Sequence, residues 1–252
     1  TEVNENTLRM ATTLRKYIAS QFKPSIAKAF YDYFGSRNIL DFSAGWGDRL
    51  AGFYASETGA YYLGIDPNTS NHPNYQKQKD FYETHRSFFE IEKDCDFICS
   101  PAEDVDFTEY EGIFDTVFTS PPYFNTEKYS EDETQSFKRY TDIDSWNEKF
   151  LHNSLERIFP AMRPGAILAI NIADVYCAKK KGYLDICNPM NDFIKSQGFK
   201  YRGCIGMEMT KRFNSAGAGK AASDYFSDDF QDKALETKNQ AFGEPIWIWE
   251  KI

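Results

Sequence analysis

The residues with the clearest chemical potential form a five-residue string, Thr-Ser-Pro-Pro-Tyr, at positions 119–123. The string directly follows an apolar run at 114–118. Two adjacent prolines fix the backbone and remove two N–H donors, so the Ser120 hydroxyl and the Pro121 carbonyl can face a ligand as acceptors. Tyr123 adds a flat face on which an aromatic base could stack. The string predicts a site that receives hydrogen-bond donors.

A glycine-bearing turn at residues 41–47 is a second candidate site. Gly45 and Gly47 stand two apart, and a missing β-carbon lets the backbone approach a ligand closely. Leu50 occupies the position of the third glycine that a dinucleotide-binding pattern requires, so the full nicotinamide fingerprint is absent. Taken alone, the turn is compatible with a nucleotide-like ligand and equally with an ordinary tight turn.

Two acidic residues strengthen the first of these interpretations. Asp66 follows an apolar run, 19 residues beyond Gly47, where a carboxylate can accept hydrogen bonds from both hydroxyls of a ribose. Glu103 follows the next apolar run and could accept from an adenine amino group, the alternative being an acidic loop in solvent.

Each of these motifs follows a predicted strand, and helical segments separate the strands. Because parallel strands need crossover connections, this alternation predicts a doubly wound α/β fold with a mostly parallel sheet. Ligands of such folds bind beyond the carboxyl ends of the strands, where the motifs fall. The predicted strands are 38–42, 61–66, 96–99, 114–119, 166–171, 201–209 and 245–249, and the predicted helices are 49–55, 73–89, 146–162, 189–197 and two divided near Pro24 within 7–34.

The composition is that of one α/β domain spanning residues 1–252. No uninterrupted apolar run approaches the roughly 20 residues that cross a bilayer, so no membrane span is expected. The five cysteines are scattered without a CxxC pair, and the three histidines lack ligand-like spacing. We therefore expect no metal and a reducing, cytoplasmic location.

The charge is negative overall and unevenly distributed. The 29 basic and 38 acidic residues give a net charge of −9, which argues against a protein that coats nucleic acid through its overall field. Residues 61–150 hold 20 acids and 8 bases, whereas residues 151–252 hold 12 acids and 14 bases. Any polyanion is expected to approach the later part of the chain.

Together and in this order, the motifs resemble those of the amino-methyltransferases that make N6-methyladenine or N4-methylcytosine in DNA. The match covers residues 22–172 and, more loosely, the closing strands. The family signature of Asp, Asn or Ser, then Pro-Pro and an aromatic residue, is matched by Ser120-Pro121-Pro122-Tyr123. The cofactor-binding motifs are matched by Asp41, Ser43, Gly45 and Gly47 in the turn, by Asp66 and Glu103, and by Lys23, which together with Pro24 resembles the motif near the methionine end of the cofactor.

The resemblance implies a Rossmann-like class I methyltransferase fold, with a seven-stranded sheet whose last strand is antiparallel, and S-adenosylmethionine as cofactor. It implies that the target amino nitrogen donates to the Ser120 side chain and the Pro121 carbonyl, which aim its lone pair at the cofactor methyl. Transfer is then direct, without a covalent enzyme intermediate. A base in a duplex would have to be flipped out, with Tyr123 holding it.

The base and its recognition stay open. Serine at position 120 is frequent among cytosine-N4 enzymes of this family, whereas the motif order is more usual among adenine enzymes, and we place adenine ahead. No large target-recognition domain is visible, so recognition is compact or comes from a separate specificity subunit. The candidate insertions are residues 124–145, with Lys128 and Tyr129, and 211–242, with Lys211 and Arg212, although such charged residues are usually ordinary solvated side chains.

Other interpretations are compatible with the same motifs. DNA is placed ahead of RNA, which the motifs cannot separate from it. Glutamine methyltransferases that act on release factors use a related Asn-Pro-Pro-Tyr motif, but Ser120 and the basic late loops disfavour this protein substrate. An inactive partner subunit that only shapes a nucleic-acid groove is a further alternative, and the intact cofactor motifs argue against it.

Overall fold

The computed structural model describes residues 4–5, 7, 21–86, 91–126, 129–177, 181–209 and 242–252. The helices are α1 (Pro24–Phe34), α2 (Asp48–Ala55), α3 (His72–His85), α4 (Ser136–Arg139), α5 (Ile143–Trp146), α6 (Asn153–Ile158) and α7 (Cys187–Ser196), with a π-helical stretch at Asn147–His152. The strands are β1 (Asn38–Asp41), β2 (Tyr61–Ile65), β3 (Asp94–Ile98), β4 (Phe114–Thr119), β5 (Met162–Asn171), β6 (Val175–Cys177), β7 (Gly182–Leu184), β8 (Lys200–Met209) and β9 (Phe242–Glu250).

Seven strands form one sheet in the order β3-β2-β1-β4-β5-β9-β8. The neighbours from β3 through β5 are parallel, whereas β9 pairs antiparallel with β5 and with β8. The predicted doubly wound, mostly parallel sheet with an antiparallel last strand is confirmed. The strand order reverses between β1 and β4, and in folds of this kind ligands bind in the crevice at that point.

Alternate residues of the central strands pack into cores on opposite faces of the sheet. Leu40 and Val117, which are paired in the sheet, belong to one apolar cluster, whereas Ile39 and Phe118 belong to the other. This arrangement follows from the two-residue repeat of a strand. All six residues of β4 are buried, which fixes the strand that leads into the Ser-Pro-Pro-Tyr string.

Helix α1 packs closely against α2 and brings the residues before it to the same edge of the sheet. Pro24 begins α1, a position where its missing N–H costs nothing. A β-carbon on Gly52 would lie 2.4 Å from the Ala27 Cβ, so this position requires glycine for the two helices to meet. Phe30 of α1 stacks on Phe118 with ring centroids 4.3 Å apart, and Phe22 contacts the same ring edge-on.

Several predicted boundaries differ from the structure. The helix predicted at 146–162 begins earlier, because the Asp142 carboxylate accepts from the Ser145 N–H at 2.8 Å and caps the first turn. It ends before Pro160, which cannot continue a helix. The hairpin β6–β7, on either side of 178–180, was not predicted, because strands of three residues are too short for a periodic pattern.

Several predicted features lie outside the described residues. These are most of the helical segment at 7–20, Lys128, and all but the last residue of 211–242, including Lys211 and Arg212. Met209 and Phe242 lie at the two ends of this last segment and pair with each other beyond the carboxyl end of β5. The motifs lie at the same edge of the sheet. Among the described residues, no helix is both long and apolar enough to span a membrane.

Candidate active site

A cleft of about 890 Å³, including its open mouth, lies where β1, β2, β3 and β4 end. The structure brings most of the predicted site residues that it describes together at one edge of the sheet. Those that line the cleft are Ser43, Gly45, Asp66, Glu103, Ser120, Pro122 and Tyr129.

The turn after β1 is held by hydrogen bonds between its backbone and the side chains of Asp66 and Tyr75. Gly45 and Gly47 have φ angles of +59° and +84°, which glycine adopts without strain. The Gly45 N–H donates to the Asp66 carboxylate at 2.9 Å, and the Tyr75 hydroxyl donates to the Gly45 carbonyl. Trp46, between the two glycines, is 43% exposed, and its ring meets that of Tyr129 edge-on with centroids 6.1 Å apart.

Asp66 is buried at the floor of the cleft. Besides Gly45, its carboxylate accepts from the Asn68 N–H at 2.8 Å and from the Asn71 amide at 3.3 Å. Burial raises the pKa of Asp66, although the hydrogen bonds from Asn68 and Gly45 oppose the shift. The carboxylate therefore holds the glycine turn in place while it faces the cleft.

Glu103 is 2% exposed and also lines the cleft. Its Oε1 atom accepts from Arg139 at 2.7 Å and from the Tyr140 hydroxyl at 3.2 Å. Its Oε2 atom is buried without a hydrogen-bond partner among the described residues. Burial raises the pKa of Glu103, and the Arg139 charge opposes that shift. An unpaired buried acceptor of this kind is suited to a donor from a bound ligand.

The segment from Tyr129 to Tyr140 closes one side of this cleft. Gln135 and Ser136 line the cleft, and the Thr134 hydroxyl donates to the Pro67 carbonyl at 3.5 Å. Arg139 forms two hydrogen bonds with Asp104, at 2.8 and 3.1 Å, in addition to its bond with Glu103. The charge of Arg139 is thus engaged within the protein, and this part of the predicted insertion at 124–145 lies beside the acidic side of the cleft.

Asp41 lies beneath the cleft and does not line it. It is fully buried and pairs with Arg49, whose Nε atom donates to Oδ2 at 2.7 Å. The Tyr62 and Thr119 hydroxyls donate to the same carboxylate at 2.7 and 2.9 Å. Sequence reasoning missed Arg49, which lines the cleft while its partner Asp41 lies beneath it. Its position eight residues after Asp41, on the first turn of α2, is the signal that could have found it.

The Ser-Pro-Pro-Tyr string begins at the end of β4. Ser120 lines the cleft, and its hydroxyl donates to the Asn171 side-chain oxygen at 3.3 Å. Asn171 is buried at the end of β5, and its amide donates to the Pro245 carbonyl at 3.0 Å. Sequence reasoning did not identify Asn171, because only the pairing of β5 with β4 and β9 brings it there.

Tyr123 and Lys23 lie outside the set of cleft-lining residues. The half-buried Tyr123 packs against the main core, and its hydroxyl donates to the Glu244 carboxylate on β9. Lys23 is exposed and precedes α1, whereas its neighbour Phe22 lines the cleft. In the described part of the chain, no group of histidine, cysteine, aspartate or glutamate side chains is arranged to hold a metal.

A family model of N6/N4 methyltransferases, described as DNA methylase, matches residues 114–248 of this sequence. The match begins with β4 and extends into β9, so it includes the Ser-Pro-Pro-Tyr string and Asn171. A search of curated proteins found no significant match to the chain.

Solved structures are similar to this chain at low sequence identity. The [4+2]-cyclase SpnF has a TM-score of 0.52 at 11% identity, over 97% of this chain and 92% of that one. An rRNA methylase from Streptococcus thermophilus has a TM-score of 0.45 at 13% identity, over 93% and 99%. A proposed DNA modification methylase from Thermus thermophilus, complexed with S-adenosyl-L-methionine, has a TM-score of 0.39 at 18% identity, over 60% and 53%.

Proposed function

Because this chain belongs to the N6/N4 DNA methylase family, we propose that it transfers a methyl group from S-adenosylmethionine to an exocyclic amino nitrogen of a DNA base. We place N6 of adenine ahead of N4 of cytosine. One observation carries the proposal: Ser120 of the Ser-Pro-Pro-Tyr string opens into the same cleft as the glycine turn and Asp66. A hydrogen-bond acceptor thus lies beside a pocket of the kind that binds nucleotides.

The residues of the cleft fit this cofactor. The Gly45 turn permits close approach, and Asp66 at the end of β2 is placed for ribose hydroxyls. The unpaired Oε2 atom of Glu103 suits an adenine amino donor. Asp48 also lines the cleft. With Asp66 and Glu103 it gives the cleft three carboxylates, which favours a ligand that carries a positive sulfonium.

In the proposed reaction, the bound cofactor supplies an electrophilic methyl group. The Ser120 hydroxyl and the Pro121 carbonyl accept hydrogen bonds from the target amino group and orient its lone pair toward the cleft. Pro121 and Pro122 keep the backbone rigid and free of competing N–H donors. Tyr123, whose hydroxyl is anchored to Glu244, would hold the base by stacking. The amino nitrogen gains the methyl group and releases one proton to solvent, so these residues need to act only by position and hydrogen bonding.

The substrate class rests on family membership and on charge. Basic residues are more frequent after position 150 than before it, and 210–241 connects two strand ends at the cleft edge. We propose Lys128, Tyr129, Lys211 and Arg212 as substrate contacts, with a separate specificity subunit as the alternative source of recognition.

All five cysteines are free thiols, in keeping with a protein that acts in the cytoplasm.

Methyl transfer tests the proposal directly. Labelled S-adenosylmethionine is offered to DNA, RNA and protein pools, and the products are identified by nucleoside mass spectrometry. We expect N6-methyladenine or N4-methylcytosine in DNA. Asp66→Ala is expected to weaken cofactor binding about 10- to 100-fold, because a charged hydrogen-bond acceptor is lost. Tyr123→Ala is expected to lower activity about 5- to 100-fold through lost stacking.

The exposed Tyr33 on α1 provides a matched control, and Tyr33→Ala is expected to keep full activity. Label only in RNA would mean that the substrate is RNA and not DNA, with the same methylation of an amino group. Label only in protein would support amide methylation instead. Saturable cofactor binding without label in any pool would favour the inactive-partner alternative.

Cofactor affinity is expected to fall as the pH is lowered. Burial raises the pKa of both Asp66 and Glu103 in the free protein, and a cationic cofactor binds their charged forms. The cofactor therefore binds with full affinity above these raised pKa values. The affinity is lost as the pH falls through them, at a higher pH than for carboxyl groups whose pKa has the ordinary value near 4. Calorimetry at successively lower pH checks this, and Asp66→Asn should give a shallower decline.

A further inference from the structure

Arg49 is a cation embedded in the wall of the cleft. It is 4% exposed, yet it lines the cleft together with Phe22 and Asp48. An isolated charge in such a place is costly, so its partners decide whether it has a purely structural role. Its planar guanidinium has three nitrogens that donate hydrogen bonds in fixed directions.

Two of the three nitrogens are used within the protein. Nε donates to the Asp41 carboxylate at 2.7 Å, and Nη2 donates to it at 3.2 Å and also to the Ser43 carbonyl. In the described part of the chain, Nη1 has no hydrogen-bond acceptor. Because Arg49 borders the cleft, this donor is available to a ligand there.

Asp41 is the counter-ion of Arg49 and is itself held in place by other donors. The Asp41 carboxylate also accepts from Tyr62, from Thr119 and, at 3.3 Å, from the Ser43 N–H. The Asp41 carboxylate is thus fully engaged within the protein, and the ion pair offers its remaining Nη1 donor to a ligand in the cleft. Burial lowers the pKa of Arg49, but Asp41, Tyr62 and Tyr31 together raise it by more, so the guanidinium stays charged.

The strand order shows which part of the cofactor would lie near Arg49. Along the edge, Glu103 follows β3, Asp66 follows β2, the glycine turn and Arg49 follow β1, and Ser120 follows β4. If adenine and ribose lie at Glu103 and Asp66, the amino-acid end of the cofactor reaches the β1 position, beside the reacting methyl at Ser120.

We propose that Arg49 binds the α-carboxylate of the cofactor's methionine portion through Nη1. The inference deepens the proposed function and rests on it. Asp48, adjacent in the sequence and also in the cleft wall, supplies the opposite charge that an α-ammonium group requires. Arg49 thereby fills the role at the methionine end that the sequence pattern had suggested for Lys23.

A comparison of ligands on the unaltered protein tests this without a mutation. S-adenosylhomocysteine carries the carboxylate, whereas its carboxamide is neutral at that position and otherwise alike. We expect calorimetry to show that the carboxylate form binds about 10- to 100-fold more tightly, the range of a charge-assisted hydrogen bond. In Arg49→Lys, which keeps the charge but lacks the planar fork, this ratio is expected to shrink to a few-fold.

Arg139→Lys is the matched control, since Arg139 contacts Glu103 at the other end of the cleft. It is expected to lower the affinity for both ligands and leave their ratio unchanged. Equal affinity of the unaltered protein for both ligands overturns the inference, as does an Arg49→Lys protein that weakens both ligands equally. Failure of the unaltered protein to bind either ligand overturns the proposed function itself.

Discussion

Replacing Asp41 with asparagine is expected to lower the free energy of unfolding by about 3–5 kcal/mol, because it leaves a buried guanidinium without its counter-charge. The two side chains have nearly the same shape, so cavity formation does not contribute. Asparagine cannot accept from Arg49, Tyr62 and Thr119 with both terminal atoms, as the carboxylate does. Urea or guanidinium unfolding, followed by circular dichroism, measures the effect.

A surface carboxylate provides the control for this prediction. Glu83 pairs with Lys79 at 3.9 Å on the exposed side of α3, and Glu83→Gln is expected to change stability by less than about 0.5 kcal/mol. Combining Asp41→Asn with Arg49→Met should recover part of the loss, since the unpaired charge is then removed as well. A loss below about 1 kcal/mol in Asp41→Asn alone would mean that water in the cleft already solvates Arg49.

Much of the fold was predictable because its signals are local. The apolar runs that became β1, β2 and β4 are bounded by turn residues, and helical periodicity separates them. The connection rules for parallel strands then leave few topologies. The antiparallel position of β9 came from the family resemblance, since the apolar pattern of a strand does not carry its direction.

The placement of the proposed cofactor residues was predictable for a related reason. Its residues follow strand ends, so the topology alone brings Gly45, Asp66 and Glu103 to one edge. Asp41 shows the limit of this reasoning, because the sequence assigned it to the cofactor loop and the structure turns its carboxylate inward to Arg49. Which way a side chain faces at the end of a strand depends on contacts that are distant in the sequence, here with Tyr62 and Thr119.

Fold likeness alone does not decide the chemistry. The cyclase SpnF shares this fold over most of both chains, and its name refers to a different reaction. The methyltransferase assignment therefore depends on the family match at 114–248 and on the residues of the cleft. Ser120 is the most informative of these, since the proposed reaction requires a hydrogen-bond acceptor for the target nitrogen and the Ser120 hydroxyl opens into the cleft.

Asn171 controls the direction of that hydroxyl. The Asn171 amide must donate to the Pro245 carbonyl at 3.0 Å, because the opposite orientation would place two oxygens against each other. Its oxygen then faces Ser120 and accepts the single hydroxyl hydrogen at 3.3 Å. Ser120 consequently presents lone pairs, and no hydrogen, to the cleft. A target amino group needs such an acceptor.

Ser120→Ala is therefore expected to lower kcat about 10²- to 10³-fold, in line with the loss of one positioned hydrogen-bonding group at a reaction centre. The Kd of S-adenosylhomocysteine should change little, since Asp66 and Glu103 are intact. Asn171→Ala, which frees the hydroxyl to turn its hydrogen toward the substrate, should lower kcat roughly tenfold. Steady-state kinetics and calorimetry separate the two quantities. If Ser120→Ala kept its kcat, the Pro121 carbonyl alone would have to orient the amino group. Asn171→Ala would then leave kcat unchanged as well.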